Sequence, residues 1–491
     1  MTSRSPPPSA LPLPSIRPEI MSKHIHLIGI CGTAMASLAG MLQQRGFRVT
    51  GSDNAVYPPM SDFLASLKIP VAQPYGEKNL EPRPDLVIVG NAISRGNPEL
   101  ERVLDDGISM GSLPEVLHEH FLQGRETLVI AGTHGKTTST SMLAWIFQVA
   151  GLSPSFLVGG IAENFGASFQ LGEGRHFIIE GDEYDTAFFD KGPKFLHYFP
   201  TRLLLTSVEF DHADIYKDLD AVKMAFRRLV NLVPRRGSII AFDGSSNVEE
   251  CVAKAFCPVE RYGFSQRAHW QAVDVNFGQA RTTWKVLREG KPWAAFEAAF
   301  AGEHNVLNAT GAAALAAGCG IQPEKIAEAL KAFRSVKRRL EVIAEVGGVT
   351  VIDDFAHHPT AIAETLKALR TRYAGRRLWG ILEPRSNTLR RNVFHIDLVQ
   401  SLSIADRVVI AGVFKSEAIP EGDRLDPAAV VRDLERQGGW ARQIDNADQI
   451  VDAVAPELKP GDVVAILSNG GFGGIYEKLP RRIQSTREVS V

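Results

Sequence analysis

From His24 onward, short apolar runs alternate with longer amphipathic stretches, the pattern of parallel strands covered by helices. HIHLIGI, starting at His24, predicts a buried strand. A Gly/Ala turn, an apolar-periodic stretch to about Gln44 and a second strand, FRVTGSD, ending at Asp53, follow it. PDLVIVGNAI, from Pro84 to Ile93, predicts another buried strand, and a first αβ unit closes near Gly124. A second unit opens on TLVIAGTHGKTTSTSMLAWIFQVAG, a strand running through a loop into a helix. HFIIEGDE, RLLLTSVEFDH and GSIIAFDG then repeat one theme: an apolar run ending in polar groups. Parallel strands present chemistry at their C-terminal ends in this way. Between Trp270 and Phe300 the pattern turns to alternation, which predicts an antiparallel strand pair, and GEHNVLNATGAAALAAG predicts a helix. After the basic cluster Lys337-Arg338-Arg339, a third unit opens on VTVIDDFAHHP and continues through LWGILEP, ADRVVIAGVF and GDVVAILSNGG.

The expected fold class is therefore α/β, in three domains: 21–124, 125–336 and 337–491. Residues 1–20 are rich in proline and serine without apolar periodicity, which predicts a disordered tail and makes Met21 an alternative start. The length of 491 residues agrees with three domains at roughly 150 residues each. Charge narrows the partners: 54 basic against 56 acidic side chains leave a net of −2, which argues against a generally basic nucleic-acid binder. No apolar run approaches the roughly 20 residues of a membrane span, and the tail lacks the apolar core of a secretory signal. Cys31, Cys251, Cys257 and Cys319 show neither CxxC nor zinc-finger spacing. A cytoplasmic protein with no nucleic-acid, membrane or obligate protein partner is expected.

The strongest chemical signal is Gly132-Thr133-His134-Gly135-Lys136-Thr137-Thr138 between a strand and a helix. Small residues let backbone N–H groups reach phosphate oxygens at a helix N-terminus; Lys136 would neutralise the terminal phosphates and Thr137 would ligate Mg²⁺. Ile130 occupies the place of the first glycine of GxxxxGK[ST], so the match is imperfect. Glu180-Gly181-Asp182-Glu183-Tyr184-Asp185 ends another strand, where crowded carboxylates call for a cation. Asp211-His212, ending a third strand, could bring a further ligand to the same edge. Gly29-Ile30-Cys31-Gly32-Thr33-Ala34, with Asp53 about 20 residues on, resembles a dinucleotide turn, but Cys31 replaces its second glycine. A nucleotide-sugar diphosphate suits this turn as well as a nicotinamide cofactor does.

Taken together, AGTHGKTT, EGDEYD, EFDHAD, GEHNVLN, RRLE and DDFAHHPT resemble the Mur ligase family, ATP-dependent amide-bond ligases of peptidoglycan metabolism. The resemblance runs from about Ser22 to at least Tyr476. It implies a UDP-sugar domain, a central ATPase domain with a P-loop, and a Rossmann-like domain that receives the incoming amine. Within the family, LEPRSNT and SNGGFGG resemble the branch joining UDP-N-acetylmuramate to L-Ala-γ-D-Glu-meso-diaminopimelate in peptidoglycan recycling. The sister activity, ligation of free L-alanine, is the main rival. The resemblance further implies ATP and Mg²⁺ as cofactors, with Thr137, Glu180 and His212 on the metal and Asn305 near adenine. Arg339 or its neighbour Arg338 would reach the phosphates across a domain boundary, and Asp354 would meet the ribose. Cys31, Gly32, Thr33 and Asp53 would hold the UDP moiety. Arg385, Ser386 and Asn387 suit a peptide carboxylate by their chemistry. Asp182, Glu183 and His357 are the candidate acceptors for the amine proton. Lys223, in the place where several relatives carry a carbamylated lysine, is expected to be an ordinary helix-surface lysine. Two readings of another class remain: a nicotinamide-dependent oxidoreductase built on Gly29 to Asp53, and a non-catalytic nucleotide-binding regulator.

Overall fold

The structure is a computed structural model that describes residues 23–57 and 60–488. The expected disordered tail and the alternative start at Met21 lie outside the described residues. Three sheets follow one another along the chain, each with helices packed on it.

The first sheet is parallel, in the order Val71–Ala72, Arg48–Ser52, His24–Ile28, Leu86–Val89, Met110–Ser112. Its chain direction of progress reverses at His24–Ile28, so the turn after that strand opens a crevice at a topological switch point. The second sheet has ten strands, and Glu126–Ala131 lies inside it between Arg202–Leu205 and His176–Gly181. All three run parallel, so the phosphate loop, the acidic cluster and the Asp211-His212 segment emerge on one edge. The third sheet runs Glu341–Val346, Val349–Asp354, Val463–Leu467, Leu378–Leu382, Arg407–Ile410, Ala441–Gln443, parallel except for its first strand.

The alternating stretch after Trp270 forms three antiparallel strands rather than the expected pair: Trp270–Phe277, Thr282–Arg288 and Lys291–Ala298. The Glu289-Gly290 turn, with both residues at positive φ, folds the third strand back onto the second.

Packing places the site. The Ala-rich helix Glu303–Gly318 is buried over most of its length. Its small side chains let it lie close to the sheet: a Cβ on Gly311 would sit 3.0 Å from Leu204 and Tyr262. That approach brings Asn305 and Asn308 to the phosphate loop. The helix Thr33–Gln44 packs against the second domain, with Ser37 Oγ 2.7 Å from Ser168 Oγ. Phe188, just past the acidic cluster, packs onto the first-domain cluster of Ile28, Val89 and Ile93. No helix of the described residues is long and apolar enough to cross a membrane.

Candidate active site

Gly132 and Gly135 have φ of +139° and +79°, a backbone that side chains rarely adopt. Space forbids side chains there too: a Cβ on Gly132 would lie 2.1 Å from Thr206 Oγ1, and one on Gly135 2.4 Å from Asn308 Oδ1. Gly135 precedes the helix Lys136–Val149 without any side-chain cap, which leaves first-turn N–H groups for an anion. Lys136 Nζ donates to Gly132 O at 2.7 Å and to Glu183 Oε2 at 2.9 Å. Burial opposes both charges, but their mutual attraction outweighs it, raising the Lys136 pKa and lowering that of Glu183.

Thr137 Oγ1 donates to Glu180 Oε1 at 2.8 Å, and Gly159 N–H donates to Glu180 Oε2 at 2.8 Å. Burial, reinforced by the Asp182 charge, pushes the Glu180 carboxyl pKa up. Glu180 is therefore a half-buried carboxylate short of positive charge. His212 stands at φ +54°, a strained conformation that the fold imposes, and its Nε2 lies 3.5 Å from Glu183 Oε1. Burial would keep that imidazole neutral, yet Glu183 draws its pKa upward. Thr137, Glu180 and His212, separate in sequence, thus face one pocket of negative charge around Lys136.

The two neighbouring arginines part company. Arg339 Nη2 reaches Thr137 Oγ1 at 3.5 Å, at the phosphate loop. Arg338, expected as an alternative, is not brought there. Its Nε donates to Asp353 Oδ2 at 2.8 Å, its Nη2 donates to Ser468 O and to Tyr476, and it lies over the Phe355 and Tyr476 rings. The linker explains the split: Ser335, Arg338 and Leu340 all have positive φ, turning consecutive side chains to opposite sides. Asp354 holds that linker, accepting from Leu340 N–H at 2.7 Å, Ala356 N–H at 2.9 Å and Thr365 Oγ1 at 3.0 Å. Asn305 donates to Ala301 O and accepts from Asn308 beside the loop.

At the first-domain turn, Asp53 accepts from Cys31 N–H at 3.0 Å, Ala55 N–H at 2.9 Å and Tyr75 Oη at 3.3 Å. Asp53 therefore shapes the turn from within. Gly32 precedes the helix beginning at Thr33 with no side-chain cap, again leaving N–H groups for a phosphate. Burial and the Asp53 charge push the Cys31 thiol up to about 11, so it is protonated and inert at neutral pH.

In the third domain, Arg385 stacks 3.8 Å over the Phe414 ring and lies 3.4 Å from Glu383 Oε1. Arg385 also lies close over Gly470, where a Cβ would sit 2.0 Å from its Nε and would push the guanidinium aside. Ser386 donates to His357 O, tying this loop to the histidine pair. Asn387 donates to Asp214 Oδ2 at 2.7 Å and Thr388 Oγ1 donates to Asp211 Oδ1 at 2.6 Å, so the loop bridges the second and third domains. The bridging role of Thr388 and Asp211 was not read from sequence; Thr388 ends the LEPRSNT motif, which was the available signal. Lys223 departs from the surface reading: it is buried and its Nζ pairs with Glu250 Oε2 at 3.0 Å.

Family models match almost the whole described chain: "Mur ligase family, catalytic domain" over 24–125, "Mur ligase middle domain" over 130–316, and "Mur ligase, glutamate ligase domain" over 338–470. A UDP-N-acetylmuramate–L-alanyl-gamma-D-glutamyl-meso-2,6-diaminoheptandioate ligase of Escherichia coli (strain K12) is 44% identical, covering 93% of this chain and 97% of its own. A UDP-N-acetylmuramate–L-alanine ligase of Burkholderia cenocepacia (strain HI2424) is 33% identical, covering 94% and 98%. Among solved structures, a murein peptide ligase from Psychrobacter arcticus superposes with a TM-score of 0.72 at 37% identity, covering 94% and 99%.

Proposed function

The chain belongs to the Mur ligase family, and we propose on that premise that it joins the carboxylate of UDP-N-acetylmuramate to the amine of L-Ala-γ-D-Glu-meso-diaminopimelate, in peptidoglycan recycling in the cytoplasm. It is an ATP-dependent amide-bond ligase. The observation that carries the tripeptide over free L-alanine is the higher identity to the tripeptide ligase, 44% against 33% over nearly the same span. The nicotinamide and non-catalytic readings are set aside, since the three ligase models account for the chain from the first turn onward.

Each domain takes one reactant in this reading: 21–124 the UDP-sugar, 125–336 ATP, 337–491 the peptide. The uncapped helix start at Gly32-Thr33, shaped by Cys31 and Asp53, suits the diphosphate. Gly132 to Thr138 suit the ATP phosphates, with Lys136, held by Gly132 O and Glu183, placed to neutralise them and Arg339 reaching the same loop from beyond the domain boundary. Asn305 lies beside the loop for adenine, and Asp354 serves the ribose through the linker it holds.

The sugar carboxylate attacks the γ-phosphorus of ATP, giving an acyl phosphate and ADP. The peptide amine then attacks the acyl carbon, and phosphate leaves. Mg²⁺ would fit Thr137, Glu180 and His212, because Glu180, Asp182 and Glu183 crowd around the Lys136 ammonium and the Glu180 carboxyl is left short of positive charge. When bound, the ion neutralises charge developing on the phosphates. For the amine proton, His357 is favoured: its Nδ1–H donates to Phe355 O at 2.8 Å, which leaves Nε2 with a free lone pair. Burial lowers its pKa and keeps the ring neutral. Glu183 is by contrast committed to Lys136, and Asp182 accepts from Tyr184 Oη at 2.8 Å. Arg385, Ser386 and Asn387 suit the peptide carboxylates, with Arg385 fixed on Phe414.

The acyl phosphate is testable without the peptide. With UDP-N-acetylmuramate, ATP, Mg²⁺ and hydroxylamine, the enzyme should yield the UDP-N-acetylmuramyl hydroxamate and ADP in equal amounts by mass spectrometry. Peptide ligation with no hydroxamate and no sugar-dependent ADP would contradict the activated-carboxylate step.

A further inference from the structure

Where the phosphate loop meets the third domain, three side chains converge that the ligation chemistry leaves unused. His134 Nε2 lies 3.3 Å from Glu209 Oε2, and His358 Nδ1 lies 3.7 Å from the same oxygen. All three atoms fall within 4.8 Å of one another, and the two imidazole rings are 4.7 Å apart. Around a tetrahedral ion with bonds near 2.0–2.2 Å, neighbouring ligand atoms are separated by roughly 3.3–3.6 Å. The two separations to Glu209 therefore stand close to the spacing such an ion requires, and the third lies within 4.8 Å.

The surroundings orient them as well. His358 Nε2–H donates to Phe210 O at 3.2 Å, which fixes the tautomer and leaves the lone pair on Nδ1. That lone pair accepts from the backbone N–H of Thr360 at 3.3 Å and caps the helix that follows. Thr360 Oγ1 donates to Glu209 Oε2 at 2.6 Å, and Glu209 N–H donates to Thr133 Oγ1 at 2.8 Å, so Glu209 is held at its carboxylate by the third domain and at its backbone by the second. Next to it a groove of about 440 Å³, lined in part by Glu209, His358, Thr360 and Phe394, gives an ion access and room for a water as fourth ligand. Two imidazoles and one carboxylate select a borderline transition ion. Mg²⁺ prefers oxygen, as offered around Glu180.

We propose that His134, Glu209 and His358 form a transition-metal site, for Zn²⁺ or an ion of similar chemistry, distinct from the Mg²⁺ set and bridging the second and third domains. His134 and Glu209 belong to the second domain, while His358 caps the third-domain helix Pro359–Arg372. An ion held by all three favours the arrangement in which the domains lie as they do here.

The test uses the full chain, freed of metal and then kept in excess Mg²⁺, titrated with Co²⁺ and then with Zn²⁺. The expected result is one equivalent of Co²⁺ showing the intense visible absorption of a four-coordinate ion, displaced by one equivalent of Zn²⁺. His358→Asn, which keeps a capping side chain, and the isosteric Glu209→Gln should each weaken Zn²⁺ binding by at least about 100-fold. Zn²⁺ should raise the Tm of the parent protein and leave that of either variant unmoved. Circular dichroism checks folding, and Glu209→Gln carries the test if His358→Asn does not fold. A weak six-coordinate spectrum, thiolate-to-cobalt charge transfer, or equal Zn²⁺ affinity in parent and variants would overturn the proposal.

Discussion

Lys136→Ala lowers ligation by roughly 10³-fold while UDP-sugar binding persists, because only the second domain loses its phosphate partner. Lys136 is the ammonium at the loop, donating to Gly132 O and to Glu183. Without it the transferring phosphoryl group meets Glu180, Asp182 and Glu183 with no fixed side-chain cation from the loop. The variant also loses stability. Glu183, whose side chain is 3% exposed, is left with His212 as its remaining cationic neighbour. Removing one partner of a buried pair costs about 3–5 kcal/mol. Sugar-dependent ADP release measures the catalytic loss, and calorimetry with UDP-N-acetylmuramate measures the surviving affinity. Unchanged turnover would refute the role assigned to the loop.

Arg339 and Arg338 give the second large effect, and they separate catalysis from stability in adjacent residues. Arg339→Ala should lower turnover by roughly 10³-fold, the scale of an arginine acting on transferring phosphate, with little change in Tm. Arg338→Ala should destabilise the third domain by about 3 kcal/mol. It would leave Asp353, 7% exposed, without its guanidinium, and strip the contacts to Phe355 and Tyr476. Steady-state kinetics beside thermal unfolding tells the two apart. If Arg338→Ala lost turnover while keeping its Tm, the assignment would be reversed.

Much of this was legible in the chain because strand and loop signals are local. Glu126–Ala131 and Gly132-to-Thr138 announce themselves by an apolar run followed by small residues and Lys136. The family motifs added roles, since each lies at the end of a strand or the start of a helix. What the sequence could not settle depends on contacts over long separations. Nothing local distinguishes Arg338 from Arg339; the choice is made by the left-handed linker that Asp354 and Glu341 hold by their backbone contacts. The approach of His134, Glu209 and His358 joins a loop, a strand end and a helix cap from two domains. Lys223 reads as surface because its helix is amphipathic, yet the neighbouring helix Ser246–Val252 supplies Glu250 and covers it. The third antiparallel strand was missed because Trp293, Ala294, Ala295 and Phe296 interrupt the alternation that marked the other two.

The proposed function turns on the tripeptide being the amine acceptor. The most direct measurement is phosphate release with UDP-N-acetylmuramate and ATP, given either L-Ala-γ-D-Glu-meso-diaminopimelate or free L-alanine as the amine. Sustained release and a UDP-N-acetylmuramyl tripeptide product are expected with the peptide, and no stimulation by L-alanine. Release stimulated by L-alanine, with the tripeptide inert, would contradict it.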